Sequence, residues 1–169
     1  MIQIAVDTNV ARAASGRPNA GPPSPECSRV MEHLRAGPFR VVMSQALRDE
    51  WRQHATPFAM KWLAELRSRK RVDNIPRPNW PPAAELLAAA ADQLGPSGLR
   101  EVRKDMPVWE LAMVSGRRVV SNDDRQRKLL RQIAATVPEL QLLAWVPTAD
   151  ATAWLKEGAP LGPPHLVGS

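Results

Sequence analysis

The sequence contains a single cysteine, Cys27, among its 169 residues. One thiol cannot form an intrachain disulfide, and an isolated cysteine favours a reducing compartment. No run approaches ~18 consecutive apolar residues, so no membrane-spanning helix is predicted. The chain does not open with a basic segment followed by a long apolar run, so no signal peptide is predicted either. We therefore expect a cytoplasmic protein that has no membrane association.

Several well-known catalytic and cofactor motifs are also missing. The sequence has no Gly-x-x-x-x-Gly-Lys loop, no Gly-x-Gly-x-x-Gly after its first apolar stretch and no Gly-x-Ser-x-Gly elbow. His33, His54 and His165 lie far apart, and together with one thiol they match no familiar zinc spacing. We interpret the three histidines and Cys27 as structural or exposed residues.

Apolar and basic residues are what the sequence has in quantity. Hydrophobic residues make up 44% of it, and 23 Lys and Arg outnumber 17 Asp and Glu, for a formal net charge of +6. This length and composition predict one core, which we assign to a domain over residues 1–157, with a flexible tail over residues 158–169. The basic balance suits a polyanion such as RNA, although a basic surface is also typical of proteins without such a partner.

Two short apolar stretches end in acidic residues. Ile2–Val6 runs into Asp7, and a second stretch ending at Ser121 runs into the adjacent acids Asp123 and Asp124. The first stretch is typical of a strand buried on both faces, and ligands bind at the carboxyl ends of strands in an open parallel sheet. Two such strands can place their acids side by side. An acid after a strand can equally serve as a helix N-cap, so neither one alone predicts a function.

Strand-like and helix-like segments alternate along the rest of the chain. Further strands are predicted at Phe39–Met43 and Leu140–Val146, whereas Asp73–Pro82 is interpreted as a Pro-rich loop. The helix that begins at Ala83 is expected to end at Gly95-Pro96. Because parallel neighbours require crossover connections, this alternation predicts an α/β fold, a three-layer α/β/α sandwich with a central parallel sheet.

Two further acids stand on predicted helices. Ser44 is a good N-cap for a helix that buries Leu47 and Trp51. Glu50 flanks that apolar stripe and can reach the carboxyl edge of the sheet, although a solvated helix acid is the alternative. Asp105 stands at or near the N-cap of a helix with a proline in its first turn, a favourable arrangement.

Basic residues and tryptophans supply candidates for substrate binding. The densest positive run ends in Arg69, Lys70 and Arg71, whose cations either complement a helix dipole or contact an RNA backbone. We assign these three as candidate substrate-binding residues. Four of the six tryptophans fall on apolar helix faces and are expected in the core, whereas two are undecided. The four are Trp51, Trp62, Trp109 and Trp154, and the two are Trp80 and Trp145.

The four acids, in this order and on these elements, resemble the PIN domain family of metal-dependent ribonucleases, which includes toxins of many bacterial toxin–antitoxin pairs. The resemblance spans Met1 to Leu155. It rests on Val6-Asp7-Thr8-Asn9, on Glu50, on the Asp-x-x-Val-x-x-Leu-Ala pattern that begins at Asp105, and on Val119-Val120-Ser121-Asn122-Asp123. The chain departs from the family in three ways: Ser121 stands where Thr is common, Asp123 and Asp124 compete for one role, and Pro-rich loops occur at Arg17 and Asn74.

The resemblance implies a Mg²⁺- or Mn²⁺-dependent endoribonuclease that cleaves single-stranded or looped RNA and leaves a 5′-phosphate. Hard divalent cations of this kind bind carboxylate oxygens and lower the pKa of bound water from ~15.7 towards neutrality. The implied metal ligands are Asp7, Asp105 and Asp123, and Glu50 completes the catalytic cluster. The implied hydrogen-bond donors that orient these acids are Thr8, Asn9 and Ser121.

The expected partners are an RNA substrate, a cognate antitoxin protein and a second copy of the chain in a homodimer. The main alternative is a catalytically silent PIN-like module that binds RNA or a protein through its basic face. Metal-dependent cleavage that disappears when one acid is replaced distinguishes the two. An aspartyl-phosphate phosphotransferase also has an acid after its first strand, but Asn9 stands where such enzymes usually have a second acid.

Overall fold

A computed structural model describes residues 1–169 and contains five β-strands and eight α-helices. All five strands pair in parallel, in the order β3-β2-β1-β4-β5. The structure is therefore the predicted three-layer α/β/α sandwich. The elements are β1 Ile2–Val6, α1 Thr8–Ala13, α2 Ser24–Ala36, β2 Phe39–Met43, α3 Gln45–His54, α4 Pro57–Ser68, β3 Val72–Asn74, α5 Ala83–Lys104, α6 Met106–Met113, β4 Arg118–Val120, α7 Asp124–Ile133, a 3₁₀ helix Pro138–Leu142, β5 Ala144–Val146 and α8 Thr148–Lys156.

The central strands are covered on both faces. Ile4, Ala5 and Val6 of β1 are fully buried, as are the last three residues of β2. Helix α6 contacts β1, β2 and β4, so it lies over the middle of the sheet together with its neighbours α5 and α7. Helices α2, α4 and α8 pack together in the other layer. Burial on both faces explains why the last three residues of β1 and of β2 are all apolar.

The order of the strands reverses between β1 and β4. The chain passes from β1 outwards through β2 to β3, and then returns to add β4 and β5 on the other side of β1. Val6 is paired with Val120, and the Asp7 N–H donates to the Val120 carbonyl at 3.0 Å. The residues that follow these two strands are therefore held side by side. Such a reversal opens a crevice between the two connections, where open α/β sheets bind ligands.

Helix α3 is fixed at both ends of its first two turns. The Ser44 hydroxyl accepts a hydrogen bond from the Leu47 N–H at 3.1 Å, which confirms the predicted N-cap. The indole of Trp51 donates to the Val6 carbonyl at 3.3 Å, at the end of β1. Because Glu50 precedes Trp51, this contact holds the Glu50 backbone beside the carboxyl edge of the sheet.

The structure differs from the sequence prediction in three elements. β3 overlaps the start of the segment interpreted as a loop and pairs with β2, with Val41 opposite Val72 and Val42 opposite Asp73. Helix α5 breaks at Gly95, whose φ of +72° is in the left-handed region, but the helix resumes at Pro96 and continues to Lys104. Proline is tolerated at the start of a helical segment because it has no N–H to contribute. The last strand is shorter than predicted, because a 3₁₀ helix occupies its first half.

The segment 158–169 differs from the predicted flexible tail. Val167 is fully buried, and its N–H donates to the Leu143 carbonyl at 2.8 Å. The Trp145 N–H donates to the His165 carbonyl at 3.0 Å, and Leu166 forms an antiparallel bridge with Ala144. The tail therefore packs against β5.

All six tryptophans are buried, with exposed fractions of 8% or less. This confirms the prediction for the four on apolar helix faces and assigns the two undecided ones, Trp80 and Trp145, to the core as well. None of them is available on the surface to stack on a nucleic-acid base. No helix of the structure combines the length and apolar character needed to cross a membrane.

Candidate active site at the carboxyl edge of the sheet

A pocket of about 330 Å³ lies at the carboxyl edge of the sheet, where the strand order reverses. No hydrophobic side chain lines it. Four separate segments of the chain contribute to it: the β1–α1 junction, α3, the α5–α6 junction and the β4–α7 junction. The lining residues are Asp7, Thr8, Asn9, Arg12, Glu50, His54, Lys104, Asp105 and Asp123. The four acids predicted as catalytic therefore meet in one polar pocket.

Asp7 is the most tightly held of these acids. Asp7 is only 6% exposed, and its Oδ2 accepts hydrogen bonds from Ser121 Oγ at 2.6 Å and from Asn9 Nδ2 at 3.0 Å. Burial raises the pKa of Asp7, and the hydrogen bond from Ser121 partly offsets that rise. The charges of Glu50 and Asp123 raise it further. Asp7 is therefore rigidly oriented in surroundings that disfavour its negative charge.

Asn9 and Ser121 join the ends of the two central strands. Asn9 Nδ2 also donates to Ser121 Oγ at 3.1 Å, and Asn9 Oδ1 accepts from the Asn122 N–H at 3.1 Å. Ser121 Oγ accepts from the Asp123 N–H at 3.1 Å. One network of side chains and backbone amides thus fixes the positions of both Asp7 and Asp123.

Glu50 reaches the pocket from α3. Its Oε2 accepts a hydrogen bond from the Thr8 hydroxyl at 2.9 Å, and the residue is half-buried. Thr8 is itself 5% exposed and directly follows Asp7. Asp7 and Glu50 are therefore each oriented by a neighbouring polar side chain, Asp7 by Ser121 and Glu50 by Thr8.

Asp105 is the acid with the least compensation. It occupies the N-cap position of α6 but makes no capping hydrogen bond, it is 9% exposed, and its Oδ2 is buried without any hydrogen-bond partner. Burial raises its pKa to about 8, the charges of Asp7 and Asp123 add to the rise, and Lys104 opposes it. A buried carboxyl oxygen without a donor is destabilising unless something from outside the chain satisfies it.

The two adjacent acids after β4 lie in different surroundings. Asp123 lines the pocket, its Oδ1 caps α7 through the Gln126 N–H at 2.8 Å, and its Oδ2 is 4.0 Å from Lys104 Nζ. Asp124 is the first residue of α7, is exposed, and pairs with Lys128 at 2.7 Å. That pair lowers the pKa of Asp124. Of the two, only Asp123 faces the other acids.

The predicted substrate-binding run does not lie at this pocket. Arg69, Lys70 and Arg71 directly precede β3, so they lie at the amino edge of the sheet, opposite the acids. The reason is that α4 must carry the chain back across the sheet before a parallel strand can begin. The guanidinium of Arg71 is moreover bound within the protein: it donates to the carbonyls of Leu34, Arg35, Gly37 and Phe39 at 2.6–2.9 Å.

Three pocket residues were not predicted from the sequence: Arg12, His54 and Lys104. His54 is exposed, as predicted for the histidines, but it lies four residues after Glu50 and so shares its helix face. Arg12 follows Asn9 by three residues on α1 for the same geometric reason, and Lys104 immediately precedes Asp105. Helical spacing from Glu50 was the signal that would have found His54, whereas Arg12 is spaced from Asn9, which is not an acid.

The chemistry of the donors fits a hard divalent cation. Carboxylate oxygens are the ligands that Mg²⁺ and Mn²⁺ prefer, and Mg²⁺ usually binds one or two of them while it keeps several waters. The unpartnered Asp105 Oδ2 is an oxygen that such an ion would satisfy. In their present positions, however, no group of three or more His, Cys, Asp or Glu side chains could hold a metal ion. Direct binding by three carboxylates would require their side chains to move closer together.

The sequence matches no protein-family model, and no curated protein matches it. The resemblance to the PIN domain family therefore rests on the motif residues themselves and stays a hypothesis.

Proposed function

We propose that this protein is a Mg²⁺- or Mn²⁺-dependent endoribonuclease of the PIN type, which hydrolyses phosphodiester bonds in RNA. One observation carries the proposal. Acids from four separate segments of the chain line one pocket that has no hydrophobic side chains and lies where the strand order reverses. These acids are Asp7, Glu50, Asp105 and Asp123. Asp7 and Asp105 have raised pKa values, and perturbed carboxyl groups in a cleft are typical of functional sites.

The proposed metal ligands are Asp7, Asp105 and Asp123. A divalent cation would offset the negative charge of the scissile phosphate and make water acidic enough to attack it near neutral pH. The rise in the pKa of Asp105 and its unpartnered oxygen support this assignment, because both describe a carboxyl group that lacks a counter-charge.

The other polar residues would orient the acids. Ser121 and Asn9 donate to the same oxygen of Asp7, which leaves Asp7 Oδ1 without a side-chain donor. Thr8 donates to one oxygen of Glu50, and the other makes no hydrogen bond within the protein. Glu50 would use that second oxygen to orient or deprotonate a water molecule beside the scissile phosphate.

The proposal includes a role as the toxin of a toxin–antitoxin pair, with a cognate antitoxin and a homodimeric state. This part of the proposal rests only on the resemblance of the motifs to the PIN domain family. A cytoplasmic location is proposed on the same resemblance and on the single buried cysteine, Cys27. The cytoplasm contains RNA, which agrees with the proposed location and with the proposed substrate.

A catalytically silent module that binds RNA or a protein is the second candidate. It is favoured by the absence of any group of three acidic, histidine or cysteine side chains that could hold a metal ion as they stand. The ammonium group of Lys104, 4.0 Å from Asp123 Oδ2, also supplies some counter-charge from within the protein.

The deciding experiment is digestion of a 3′-labelled single-stranded RNA with Mg²⁺, with Mn²⁺ and with EDTA. Wild-type protein should cleave only with a divalent ion and leave 5′-phosphate ends. Asp7→Asn should lower the rate by at least ~100-fold, because weakened metal binding removes several kcal/mol of charge stabilisation. The matched control is Asp92→Asn, an exposed acid on α5 outside the pocket. Cleavage that persists in EDTA, or that is equal in wild type and Asp7→Asn, contradicts the proposal, and RNA binding without any cleavage favours the silent module.

A further inference from the structure

Arg12 is a cation in the pocket that has no partner. It is exposed, lies in the last turn of α1 and makes no hydrogen bond or ion pair in the structure. Some arginines elsewhere in the chain are engaged: Arg40 binds Asp73, Arg35 binds Glu65, and Arg71 binds backbone carbonyls. Exposed arginines such as Arg131 are unpaired, as Arg12 is, but they lie outside the pocket. An arginine beside four carboxyl groups would pair with one of them if its role were to neutralise them.

Lys104 is a second cation in the same pocket, and it is only loosely paired. Its Nζ is 3.7 Å from Glu101 and 4.0 Å from Asp123, and 62% of its side chain is exposed. Exposed ion pairs at such distances contribute little and exchange readily with other anions. The ammonium group is therefore available to a ligand that enters the pocket.

These two cations reach the pocket from different segments of the fold. Arg12 lies one turn after the end of β1, whereas Lys104 is the last residue of α5 and directly precedes Asp105. The acids thus have a cation contributed by α1 and another contributed by α5. A polyanion that brings one phosphate to the acids would carry its neighbouring phosphates past such groups, since consecutive phosphates of a nucleic acid are covalently linked.

We propose that Arg12 and Lys104 bind backbone phosphates of single-stranded RNA at this pocket. The inference rests on the proposed function in taking RNA as the ligand. A guanidinium binds phosphate through two parallel hydrogen bonds, and an ammonium binds it as a point charge, so neither contact reads the base sequence. Both contacts would also offset the repulsion between the carboxylates and the approaching RNA. Substrate binding is thereby assigned to the carboxyl edge of the sheet instead of the run Arg69–Arg71.

The test is equilibrium binding of a fluorescein-labelled single-stranded RNA in EDTA, measured by fluorescence anisotropy over a range of salt concentrations. Arg12→Gln and Lys104→Gln should each weaken binding several-fold. Each should also make the plot of log affinity against log salt less steep, by about 0.7 in the magnitude of its negative slope, the value for one lost phosphate contact in single strands. Arg12→Lys should retain most of the affinity because it keeps the charge.

Two controls remove positive charge elsewhere, one charge in the first and two in the second. Arg131→Gln changes an exposed arginine on α7 outside the pocket, and the double substitution Arg69→Gln with Lys70→Gln changes the amino edge. Neither should alter the slope as the pocket substitutions do. Thermal unfolding of every variant checks that the fold is intact.

The inference is overturned if Arg12→Gln and Lys104→Gln bind RNA as wild type does, if the amino-edge substitutions produce the larger loss, or if the wild type binds no RNA even at low salt. Because the measurement needs no turnover, it is separate from the test of catalysis. RNA binding that depends on Arg12 and Lys104 in a protein that never cleaves supports this inference while it refutes the nuclease. Metal-dependent cleavage with unchanged binding in both variants does the opposite.

Discussion

The two edges of the sheet treat charged side chains in opposite ways. At the amino edge Arg71 is bound by backbone carbonyls, and near it Arg40 binds Asp73 through two nitrogens, at 2.5 and 2.8 Å. At the carboxyl edge Asp105 is buried with an unpartnered oxygen. The pKa of an aspartate therefore shifts in opposite directions at the two edges. The hydrogen bond from Arg40 lowers the pKa of Asp73, whereas burial raises the pKa of Asp105 to about 8. Charges at one edge stabilise the fold, and those at the other are kept at a cost in stability, as expected of a binding site.

The sharpest test of the carboxyl edge compares its two adjacent acids. Asp123→Asn should lower metal-dependent cleavage by at least ~100-fold, since a neutral amide binds a divalent cation poorly. The fold should persist, because asparagine also caps a helix and Asp123 caps α7. Asp124→Asn should leave the rate nearly unchanged, because this exposed acid pairs with Lys128 outside the pocket. Cleavage rates and melting temperatures of both variants check this, and the reverse pattern of activity would mean that Asp124 faces the metal.

At the amino edge the expected loss is in stability rather than activity. Arg71→Ala should lower the free energy of unfolding by about 2 kcal/mol, because it removes several charge-assisted hydrogen bonds to carbonyls of the α2–β2 connection. The folded variant should cleave RNA at the wild-type rate. Urea denaturation measures the first quantity, with the exposed Arg69→Ala as its control. Loss of RNA binding in folded Arg71→Ala, with stability unchanged, would restore Arg71 as a substrate-binding residue.

The pH dependence of the free energy of unfolding should also distinguish the carboxyl edge of the sheet, where Asp105 lies, from the amino edge. The pKa of Asp105 rises from 3.8 to about 8 on folding, so the folded protein binds a proton that the unfolded chain releases between these values. Its contribution to stability is therefore complete below pH 3.8 and is lost as pH rises through about 8, with a slope of up to ~1.4 kcal/mol per pH unit.

Asp105→Asn should remove this component and stabilise the metal-free protein near neutral pH. It should also abolish the rise in melting temperature that Mg²⁺ or Mn²⁺ produces, since the metal binds the ionised carboxylate. Thermal unfolding in EDTA and in metal, followed across the same pH range, measures both effects. Identical pH profiles for wild type and Asp105→Asn would show that Asp105 ionises normally in the folded protein.

The sequence was most informative where burial is complete. Ile2–Val6 and Phe39–Met43 were predicted with the bounds that the structure has, because strands covered on both faces are made mostly of apolar residues. The positions of Asp7 and Asp123 at adjacent strand ends followed from the same pattern. By contrast, β3 has only one apolar residue in its three and lies at the edge of the sheet, so it leaves almost no periodic signal.

Features that depend on three-dimensional direction could not be predicted. The run Arg69–Arg71 was assigned to substrate binding from its charge alone, and only the path of α4 places it at the far edge of the sheet. Arg12 carries no distinctive sequence pattern, and its importance comes from the pocket that α1 happens to border. Local patterns report burial and secondary structure, whereas the edge of the sheet at which a charge emerges depends on the route of the whole chain.

The antiparallel contact between Leu166 and Ala144 protects one edge of the sheet from aggregation by strand addition. An outer strand with free backbone groups is a template for pairing with strands of other molecules. In this fold the final residues occupy that position beside β5, so polymerisation by strand addition is blocked on that side. The opposite outer strand, β3, is three residues long and carries the charged Asp73, which makes it a poor template. Deletion of residues 163–169 would thus uncover the backbone N–H and C=O groups of β5, and its main effect would be aggregation on heating.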